Sequence, residues 1–346
     1  MTISAYLNTR VSLFAARLLT PRQFDELVDC PDAELPEWLL RHGLDTMVRN
    51  SGDDPSAEQR IGAALLREIA ILARPLRGGQ RGFIDDWTRR YEISNLKSLI
   101  RGKLMQQRPA EIAASMIDLG HFARLPIEQL LHVEDLPELL GALEHTVYKD
   151  LARSARQTVE MHRDPFMLDA MLDKCYYEGL IGRVRPLEMQ EGEDFRSLIG
   201  DMIDRINLMW LIRFRFNYGL PPAQAYFLLV HAPYHLRSEL LQGLARQPDL
   251  AALRSALPRH WRSRLDGAET PIQVFAALEE DSIVFNQRLL RHSSSAMTRV
   301  IAYIQLRERC LRRVLAVVRG RRLAMATPTI RHAVHLEEQA MAVGAA

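Results

Sequence analysis

The sequence predicts an all-α protein built from three similar helical domains. Apolar residues recur at three- and four-residue spacing in most long windows, which is the period of an amphipathic helix, and runs that alternate as a strand would are scarce. Two sequence modules also return three times in the same order. Their period of about 110 residues is longer than the usual solenoid unit, so it indicates three related domains, at 1–120, 121–235 and 236–346.

The first module is a helix, an acidic turn and a second helix. It occurs as FDELVDCPDAELPEWL at 24–39, IEQLLHVEDLPELL at 127–140 and LQGLARQPDLAAL at 241–253. In each copy an aspartate stands where its carboxylate can cap the second helix, and the leucine that opens the apolar face of that helix follows. The aspartates are Asp32, Asp135 and Asp249, and the leucines are Leu35, Leu136 and Leu250.

The second module is an apolar helix that ends with two basic residues. It occurs as NLKSLIRGK at 95–103, NLMWLIRFR at 207–215 and RVLAVVRGR at 313–321, at offsets of 112 and 218 residues from the first copy. A proline that can start the next helix follows each copy. Pro109 aligns with Pro221, whereas Pro328 lies one residue out of register. The basic pairs are Arg101 with Lys103, Arg213 with Arg215, and Arg319 with Arg321.

The two residues of each basic pair have different expected roles. A helix turns by about 100° per residue, so Arg101 and Lys103 lie on different faces. We expect one of them to flank the core and pair with a carboxylate, and the other to face solvent or a partner. Glu92 and Asp204 occupy one repeat position and are the candidate carboxylates. Packing and ion pairing are the main interpretation of the basic residues, and an interface is the alternative.

Composition excludes several classes of function. The chain has 346 residues with 45 basic and 43 acidic side chains, a net charge of +2 that argues against a dedicated nucleic-acid binder. Its three cysteines are far apart and form no CxxC pair, so neither a disulfide framework nor a zinc site is expected. The N-terminus has no signal-peptide pattern, and no apolar run is long enough to span a bilayer. A reducing cytosol fits these features.

Candidate chemistry is sparse. No phosphate-binding GxxxxGK[ST] motif is present, and RGGQRG at 77–82 is predicted to be a flexible turn. His231 and His235 have a metal-ligand spacing, but Pro233 interrupts that helix and no third ligand is evident. His332 and His335 make an equally weak pair. We therefore expect no catalytic residue, metal or cofactor. The arginine-rich stretch at 307–322 leaves one alternative function, a helical adaptor that binds nucleic acid or a signalling partner.

Five segments in order resemble one known family. The resemblance rests on a Tyr-x-x-x-Arg-Val opening, a Glu-x-x-Asn-Leu-Lys segment and its Asp-x-x-Asn-Leu counterpart. The segments are AYLNTRVSLFAARLL at 5–19, YEISNLKSLIRGK at 91–103, PFMLDAMLDKCYYEGL at 165–180, IDRINLMWLIRFR at 203–215 and AYIQLRERCLRRVLAVVRGRRL at 302–323. Together they resemble the central-stalk connector of V-type and archaeal-type rotary ATPases, known as the C subunit in bacteria and archaea and the d subunit in eukaryotes. Cys310 and Arg313 depart from the Glu and Asn that this family usually has there.

The resemblance implies a coupling role without chemistry. It implies an all-helical, pseudo-threefold funnel whose wide hollow receives the foot of the rotor shaft, although repetition alone also allows an open arc. The other end would sit on the proteolipid ring, at the cytoplasmic face of the membrane. The expected partners are therefore the rotor-shaft subunits and the proteolipid ring. Neither nucleic acid, a cofactor nor a direct membrane span is implied.

Overall fold

A computed structural model describes residues 3–44, 47, 57–162, 165–231 and 234–331. Every regular element in these ranges is helical, which confirms the all-α prediction. None of the helices within the same ranges is both long and apolar enough to cross a membrane.

The helices vary from 5 to 27 residues in length. Besides α-helices, the chain forms a 3₁₀ turn at Gly120–Phe122 and a π turn at Arg213–Asn217. The α-helices are α1 (Ile3–Ala15), α2 (Pro21–Asp29), α3 (Leu35–Arg41), α4 (Ala57–Ala73), α5 (Gly78–Leu104), α6 (Pro109–Ala114), α7 (Ile127–Leu131), α8 (Leu136–Leu143), α9 (Lys149–His162), α10 (Pro165–Glu191), α11 (Glu193–Ile212), α12 (Pro222–Phe227), α13 (Ser238–Ala245), α14 (Leu250–Ala256), α15 (Arg259–Arg264), α16 (Pro271–His292) and α17 (Ala296–Arg322). A further helical turn covers 327–331.

Two of the three predicted aspartate caps are confirmed. Asp135 accepts from the N–H of Glu138 at 2.9 Å, and Asp249 accepts from the N–H of Ala252 at 2.8 Å, so each satisfies an orphan donor in the first turn of its helix. The Asp32 prediction is wrong. α3 follows Glu34, which makes no side-chain cap, and Asp32 instead forms an ion pair with Arg321.

Two other local predictions need correction. RGGQRG is not a flexible turn, because α5 begins at Gly78, whose φ of +54° lets the chain change direction at that point. Pro109 begins α6 as predicted, but its counterpart is Pro222 rather than Pro221. The π turn inserts one residue before α12, so the offset between the first and second copies becomes 113 after that point.

The chain divides into two compact units. The first unit contains Met1–Asn50, Arg74–Leu76 and Val184–Ala346. Within it α17 packs against α16, α1, α11 and α2, and its apolar residues form the centre of the core. The Phe14 ring of α1 lies 5.8 Å from the Tyr303 ring of α17, and the Arg299 guanidinium donates to Asn8 at 2.7 Å. Helices from the two ends of the sequence therefore share one core.

The second unit contains Ser51–Ala73 and Arg77–Arg183, and α5 is its central helix. α5 packs against α4, α6 and α8, and buries Trp87 almost completely. α10 is tied to α5 at two points: the Tyr176 hydroxyl donates to the Trp87 carbonyl at 3.1 Å, and Lys97 pairs with Asp173 at 2.6 Å. The predicted division into three domains stays a prediction.

Candidate functional site

The long helices of the second sequence module end in the same way. In each, one residue after the helix has a left-handed φ: Gln106 at +54°, Gly219 at +66° and Ala324 at +51°. The N–H of the next residue then donates back to a carbonyl of the last turn, from Gln107 to Gly102, from Leu220 to Phe214 and from Met325 to Gly320, at 2.8–2.9 Å. The first and third ends are Schellman motifs, and the second is wider by one residue because of the π turn at Arg213–Asn217; each satisfies a carbonyl that would otherwise lack a donor.

Close packing at two of these ends requires glycine. A Cβ on Gly102 would lie 2.5 Å from the Ile112 side chain, and a Cβ on Gly320 would lie 2.7 Å from the Ile330 side chain. The next helical segment therefore packs directly on the backbone of the long helix. Both isoleucines are buried, and they stand 218 residues apart, as the glycines do.

The second basic residue of each pair points inward and binds the C-terminal end of a short helix. The Lys103 ammonium donates to the carbonyls of Leu131, at 2.7 Å, and of Val133, at the end of α7. Arg215 donates to the carbonyl of Ala245, at 2.7 Å, at the end of α13. These carbonyls have no partner within their own helix and carry the negative end of its dipole, so a cation stabilises them.

The third inward cation joins the two ends of the sequence. The Arg321 guanidinium donates to the carbonyls of Leu27, at 3.1 Å, and Val28, at 2.7 Å, near the end of α2. It also pairs with Asp32 at 2.6 Å. The last copy of the second module is thus paired with the first copy of the first module. Lys103 and Arg215 bind carbonyl oxygens in the position where a carboxylate partner was predicted, and only Arg321 adds a carboxylate.

Glu92 and Asp204 bind main-chain N–H groups. Glu92 accepts from the N–H groups of Arg124 and Leu125 at 2.7 and 2.8 Å. Asp204 accepts from the N–H groups of His235 and Leu236 at 2.9 and 3.3 Å. The predicted pairing of these carboxylates with the repeat arginines is therefore wrong, because each carboxylate holds the start of the first module that follows it in the chain.

The environments of the two carboxylates differ. Glu92 also accepts from the Tyr148 hydroxyl, and burial together with this carboxylate raises the pKa of Tyr148. Burial raises the pKa of Asp204 to about 7, against the opposing effect of its two backbone hydrogen bonds. Asp204 is fully buried, so removal of water from its charged form outweighs the hydrogen bonds.

Sequence reasoning missed the role of two asparagines. Asn95 donates to the carbonyl of Ile117 at 2.8 Å and accepts from its N–H at 2.7 Å, and Asn207 does the same with Val230 at 2.9 and 2.8 Å. A buried amide is suited to this task, because it offers one donor and one acceptor side by side. The signal in the sequence was an asparagine three residues after each buried acid.

The third copy replaces both of these polar residues. Cys310 stands at the position of Glu92 and Asp204, where its thiol lies at the N–H of Leu19, and burial raises its pKa. Arg313 stands at the position of the two asparagines, with its guanidinium 5.9 Å from the Phe24 ring and 3.7 Å from the Glu280 carboxylate. A guanidinium has no acceptor, so Arg313 cannot make the two-way bond of Asn95 or Asn207.

The first basic residue of each pair comes four or five residues before an exposed apolar residue. Arg101 precedes Met105, Arg213 precedes Tyr218 and Arg319 precedes Leu323; Arg319 is exposed, whereas Arg101 and Arg213 are half-buried. Met105 is 69% exposed, Tyr218 37% and Leu323 74%. In the second pair the Arg213 guanidinium donates to the Tyr218 hydroxyl at 2.8 Å. Each long helix therefore presents one cation and one apolar group at its end.

The weak metal candidates gain no support from the geometry. His231 packs on the Tyr226 ring, and His235 packs between the rings of Tyr234 and His260. Among the described residues no group of three His, Cys, Asp or Glu side chains could hold a metal ion. Pro233, His332 and His335 lie outside those residues.

Comparison with known proteins identifies the family. Residues 7–333 match the ATP synthase (C/AC39) subunit family. The chain belongs to this family. It is 24% identical to the C subunit of the A-type ATP synthase of Methanosarcina mazei, over 69% of this chain and 66% of the relative. It thus spans just under two thirds of the length of that relative.

Two other relatives are covered almost completely. The chain is 22% identical to the C subunit of the A-type ATP synthase of Haloferax volcanii, over 91% of this chain and 92% of the relative. It is 24% identical to the protein of that description from Halorubrum lacusprofundi, over 94% and 95% of the two chains. The family resemblance predicted from the five segments is confirmed. In this member of the family, four buried side chains form hydrogen bonds with main-chain groups of the same chain: Glu92, Asn95, Asp204 and Asn207.

Proposed function

We propose that this chain is the non-catalytic coupling subunit of a V-type or A-type rotary ATPase. It would link the rotor shaft of the ATPase head to the proteolipid ring, at the cytoplasmic face of the membrane, and transmit torque between them. The observation that carries the proposal is the family match over residues 7–333. The relatives, which are named as C subunits of A-type ATP synthases, support it.

The proposal includes three domains, at 1–120, 121–235 and 236–346, arranged as a pseudo-threefold funnel. Its support is the recurrence of one set of contacts. A cation binds the end of a first-module helix three times, through Lys103, Arg215 and Arg321. The third contact, from Arg321, joins the last copy of the second module to the first copy of the first module. Each copy of the second module therefore binds a copy of the first module, as a closed arrangement requires.

We further propose that Arg101, Arg213 and Arg319 are contact points for the shaft or ring subunits. Each arginine precedes an exposed apolar residue by four or five positions. Burial of an exposed apolar side chain by a partner contributes favourably to the free energy of binding. A carboxylate of the partner would complement each arginine. Arginine and tyrosine, which stand together at Arg213 and Tyr218, are enriched in binding hot spots.

The adaptor alternative is not favoured by the arginine-rich stretch. Arg309 pairs with Glu279 at 2.6 Å, Arg312 with Glu308 at 2.8 Å, and Arg321 with Asp32 at 2.6 Å. Side chains engaged in this way do not form the free basic face that binding to phosphates needs.

The first test is affinity purification of the tagged chain from gently solubilised membranes, with partners identified by mass spectrometry. The proposal expects ATPase catalytic subunits, shaft subunits and a small proteolipid together. Recovery of the tagged chain without any of these three classes would overturn the coupling role.

A second test separates contact residues from folding residues. Arg101→Glu, Arg213→Glu and Arg319→Glu are expected to keep the helical circular dichroism and to reduce recovery of partners. Lys103→Glu is the matched control in the same turn as Arg101, and it is expected to lower the unfolding temperature because it places a carboxylate against helix carbonyls. Full recovery of partners by all three arginine variants would remove the contact assignment and leave the family role untouched.

A further inference from the structure

A pocket of the first unit lies where the chain after α1 passes the end of α3 and the start of α2. Its volume is about 370 Å³. The side chains that line it include two arginines, a histidine, an amide and an apolar group, which are Arg17, Arg41, His42, Gln23 and Leu40. No aspartate or glutamate is among the described residues of this lining. The charged side chains therefore make the pocket electropositive.

The uncharged polar side chains of the pocket still have donors to offer. The side-chain oxygen of Gln23 accepts from the N–H of Thr20 at 2.9 Å, and its amide N–H groups make no hydrogen bond with the described part of the chain. The Nδ1 of His42 lies 2.8 Å from the Trp38 carbonyl, so Nε2 is the nitrogen that can reach a ligand, as a donor in the protonated ring. A ligand that supplies acceptors would satisfy both side chains.

The two arginines are only weakly neutralised by their own chain. Arg41 lies 3.8 Å from Glu37, and both side chains are largely exposed, at 60% and 75%. An exposed pair of this kind contributes little free energy, so it does not prevent Arg41 from binding another carboxylate. Arg17 packs against the Phe14 ring at 5.5 Å and forms no ion pair with any described residue.

The other two copies of the first module have small or apolar residues at these positions. Residues 40–42 are Leu-Arg-His, whereas 141–143 are Gly-Ala-Leu and 255–257 are Ser-Ala-Leu. Two buried leucines, Leu143 and Leu257, thus stand at the position of His42. A cation near a helix C-terminus is stabilising, but α8 ends without one. The fold of this module therefore does not require the residues that make the pocket electropositive.

Leu40 adds an apolar group at the rim of the pocket. It is 58% exposed, and the other two copies have glycine and serine at its position, so the packing of the module does not explain a leucine there. An exposed leucine beside two arginines is suited to a protein surface, which can cover the apolar group and supply a carboxylate at the same time. A phosphate or another small anion would leave Leu40 uncovered.

We propose that this pocket binds an acidic segment of another ATPase subunit, whose Asp or Glu carboxylate accepts hydrogen bonds from Arg17, Arg41 and His42. An apolar side chain next to that carboxylate covers Leu40. The inference rests on the proposed function, because the partner is taken from the assembled ATPase. It adds a contact surface that is separate from the helix ends at Arg101, Arg213 and Arg319.

Cross-linking without a spacer tests this contact in the assembled complex. Arg41→Lys keeps the positive charge and places a primary amine in the pocket, and a water-soluble carbodiimide joins such an amine to a carboxylate in contact with it. The complex is purified through the tagged chain, treated with the carbodiimide, digested and analysed by mass spectrometry. The expected product joins position 41 to an Asp or Glu of another subunit, with the mass of the two peptides less one water.

Two further substitutions in the Arg41→Lys chain show whether the pocket is responsible. Arg17→Gln removes a second cation of the lining and is expected to lower the yield of the product about tenfold, which is the effect of one charge-assisted hydrogen bond. Arg22→Gln is the matched control, because Arg22 is an exposed arginine that pairs with Glu26 and does not line the pocket. It is expected to leave the yield unchanged.

The outcomes separate this inference from the proposed function. Recovery of the ATPase with cross-links from position 41 only to carboxylates of this chain, such as Glu37, would overturn the inference and leave the coupling role untouched. A yield that Arg17→Gln does not lower, or that Arg22→Gln lowers equally, would also overturn it. Recovery of the wild-type chain without other ATPase subunits would instead overturn the proposed function, and this inference with it.

Discussion

At the scale of single residues, one buried position takes three chemical forms. Glu92 and Asp204 both hold main-chain N–H groups, and Cys310 takes their place in the third copy. A carboxylate in this position gains two charge-assisted hydrogen bonds but loses its hydration. For Asp204 the loss of hydration is the larger effect, since its pKa is raised to about 7.

The raised pKa of Asp204 predicts that stability falls as pH rises. The folded state holds this proton more tightly than the unfolded state, whose carboxyl has the ordinary pKa of 3.8. The contribution to stability is therefore complete below about pH 4 and is lost as pH rises towards 7, with a slope of up to about 1.4 kcal/mol per pH unit. Asp204→Asn is expected to flatten this part of the curve, measured by urea unfolding from pH 4.5 to 7.5.

Asp249→Asn is the matched control for this experiment, because Asp249 is an exposed cap and asparagine caps nearly as well. A pH dependence that is equally steep in wild type and Asp204→Asn would show that another group titrates in this range.

Removal of a buried asparagine should be more damaging than its size suggests. Asn95→Ala leaves both the N–H and the carbonyl of Ile117 without their partner, so we expect a loss of about 2–4 kcal/mol in the free energy of unfolding. Asn95→Asp places a buried carboxylate oxygen against the Ile117 carbonyl oxygen, so it is expected to be at least as destabilising as Asn95→Ala at pH 7. Denaturant unfolding measures both, and a loss below about 0.5 kcal/mol for Asn95→Ala would contradict the role assigned here.

At the scale of elements, each helix end depends on the close approach of the next helix. Gly102→Ala would gain helix propensity but forces its Cβ to within 2.5 Å of Ile112. Gly179 is a helical glycine in the same unit with open space around it, so Gly179→Ala gains the propensity without the clash. We expect Gly102→Ala to be less stable than Gly179→Ala by about 1–3 kcal/mol in thermal or urea unfolding.

A third variant checks the cause of that difference. Trimming Ile112 to valine in the Gly102→Ala background should recover part of the loss. If Gly102→Ala is as stable as Gly179→Ala, the helix that contains Ile112 can move away, and the close approach is not required.

Local patterns predicted some elements well and could not predict others. The Asp135 and Asp249 caps follow from a side chain and the N–H groups three residues on, so the sequence alone contains the information. The π turn at Arg213–Asn217 cannot be found in this way, because one inserted residue barely changes the apolar pattern. The hydrogen-bond partners of Lys103 and Glu92 could not be predicted either. They are main-chain groups some 30 residues away, and every residue type has such groups, so the sequence does not distinguish them.

At the scale of the whole molecule, the two ends of the sequence stabilise one core. Phe14 and Tyr303 pack together, and Arg299 donates to both Asn8 and Ser12. The sequence predicted three copies of two modules but not this pairing, because consecutive order places the first and last copies furthest apart. Long-range contacts of this kind are not visible in local periodicity.

This shared core predicts that a mutation at the contact between α1 and α17 lowers the protection of both helices against hydrogen exchange. Phe14→Ala removes a ring that is 5% exposed and should destabilise their contact by about 3–5 kcal/mol. Hydrogen exchange followed by mass spectrometry is expected to show faster exchange in α1 and in the part of α17 that contains Tyr303. Leu13→Ala, on the exposed side of α1, is expected to change neither. Faster exchange in α1 alone would show that the two helices open separately.

The contact of Arg321 with Leu27 and Val28 has a consequence for how the protein is made. The ribosome produces α2 almost three hundred residues before the arginine that caps its carbonyls. At ordinary rates of synthesis that interval lasts about 15–60 s, during which the apolar face of the newborn segment has no permanent neighbour. Chaperones that shelter emerging chains would therefore be needed most by the part of this protein that appears first.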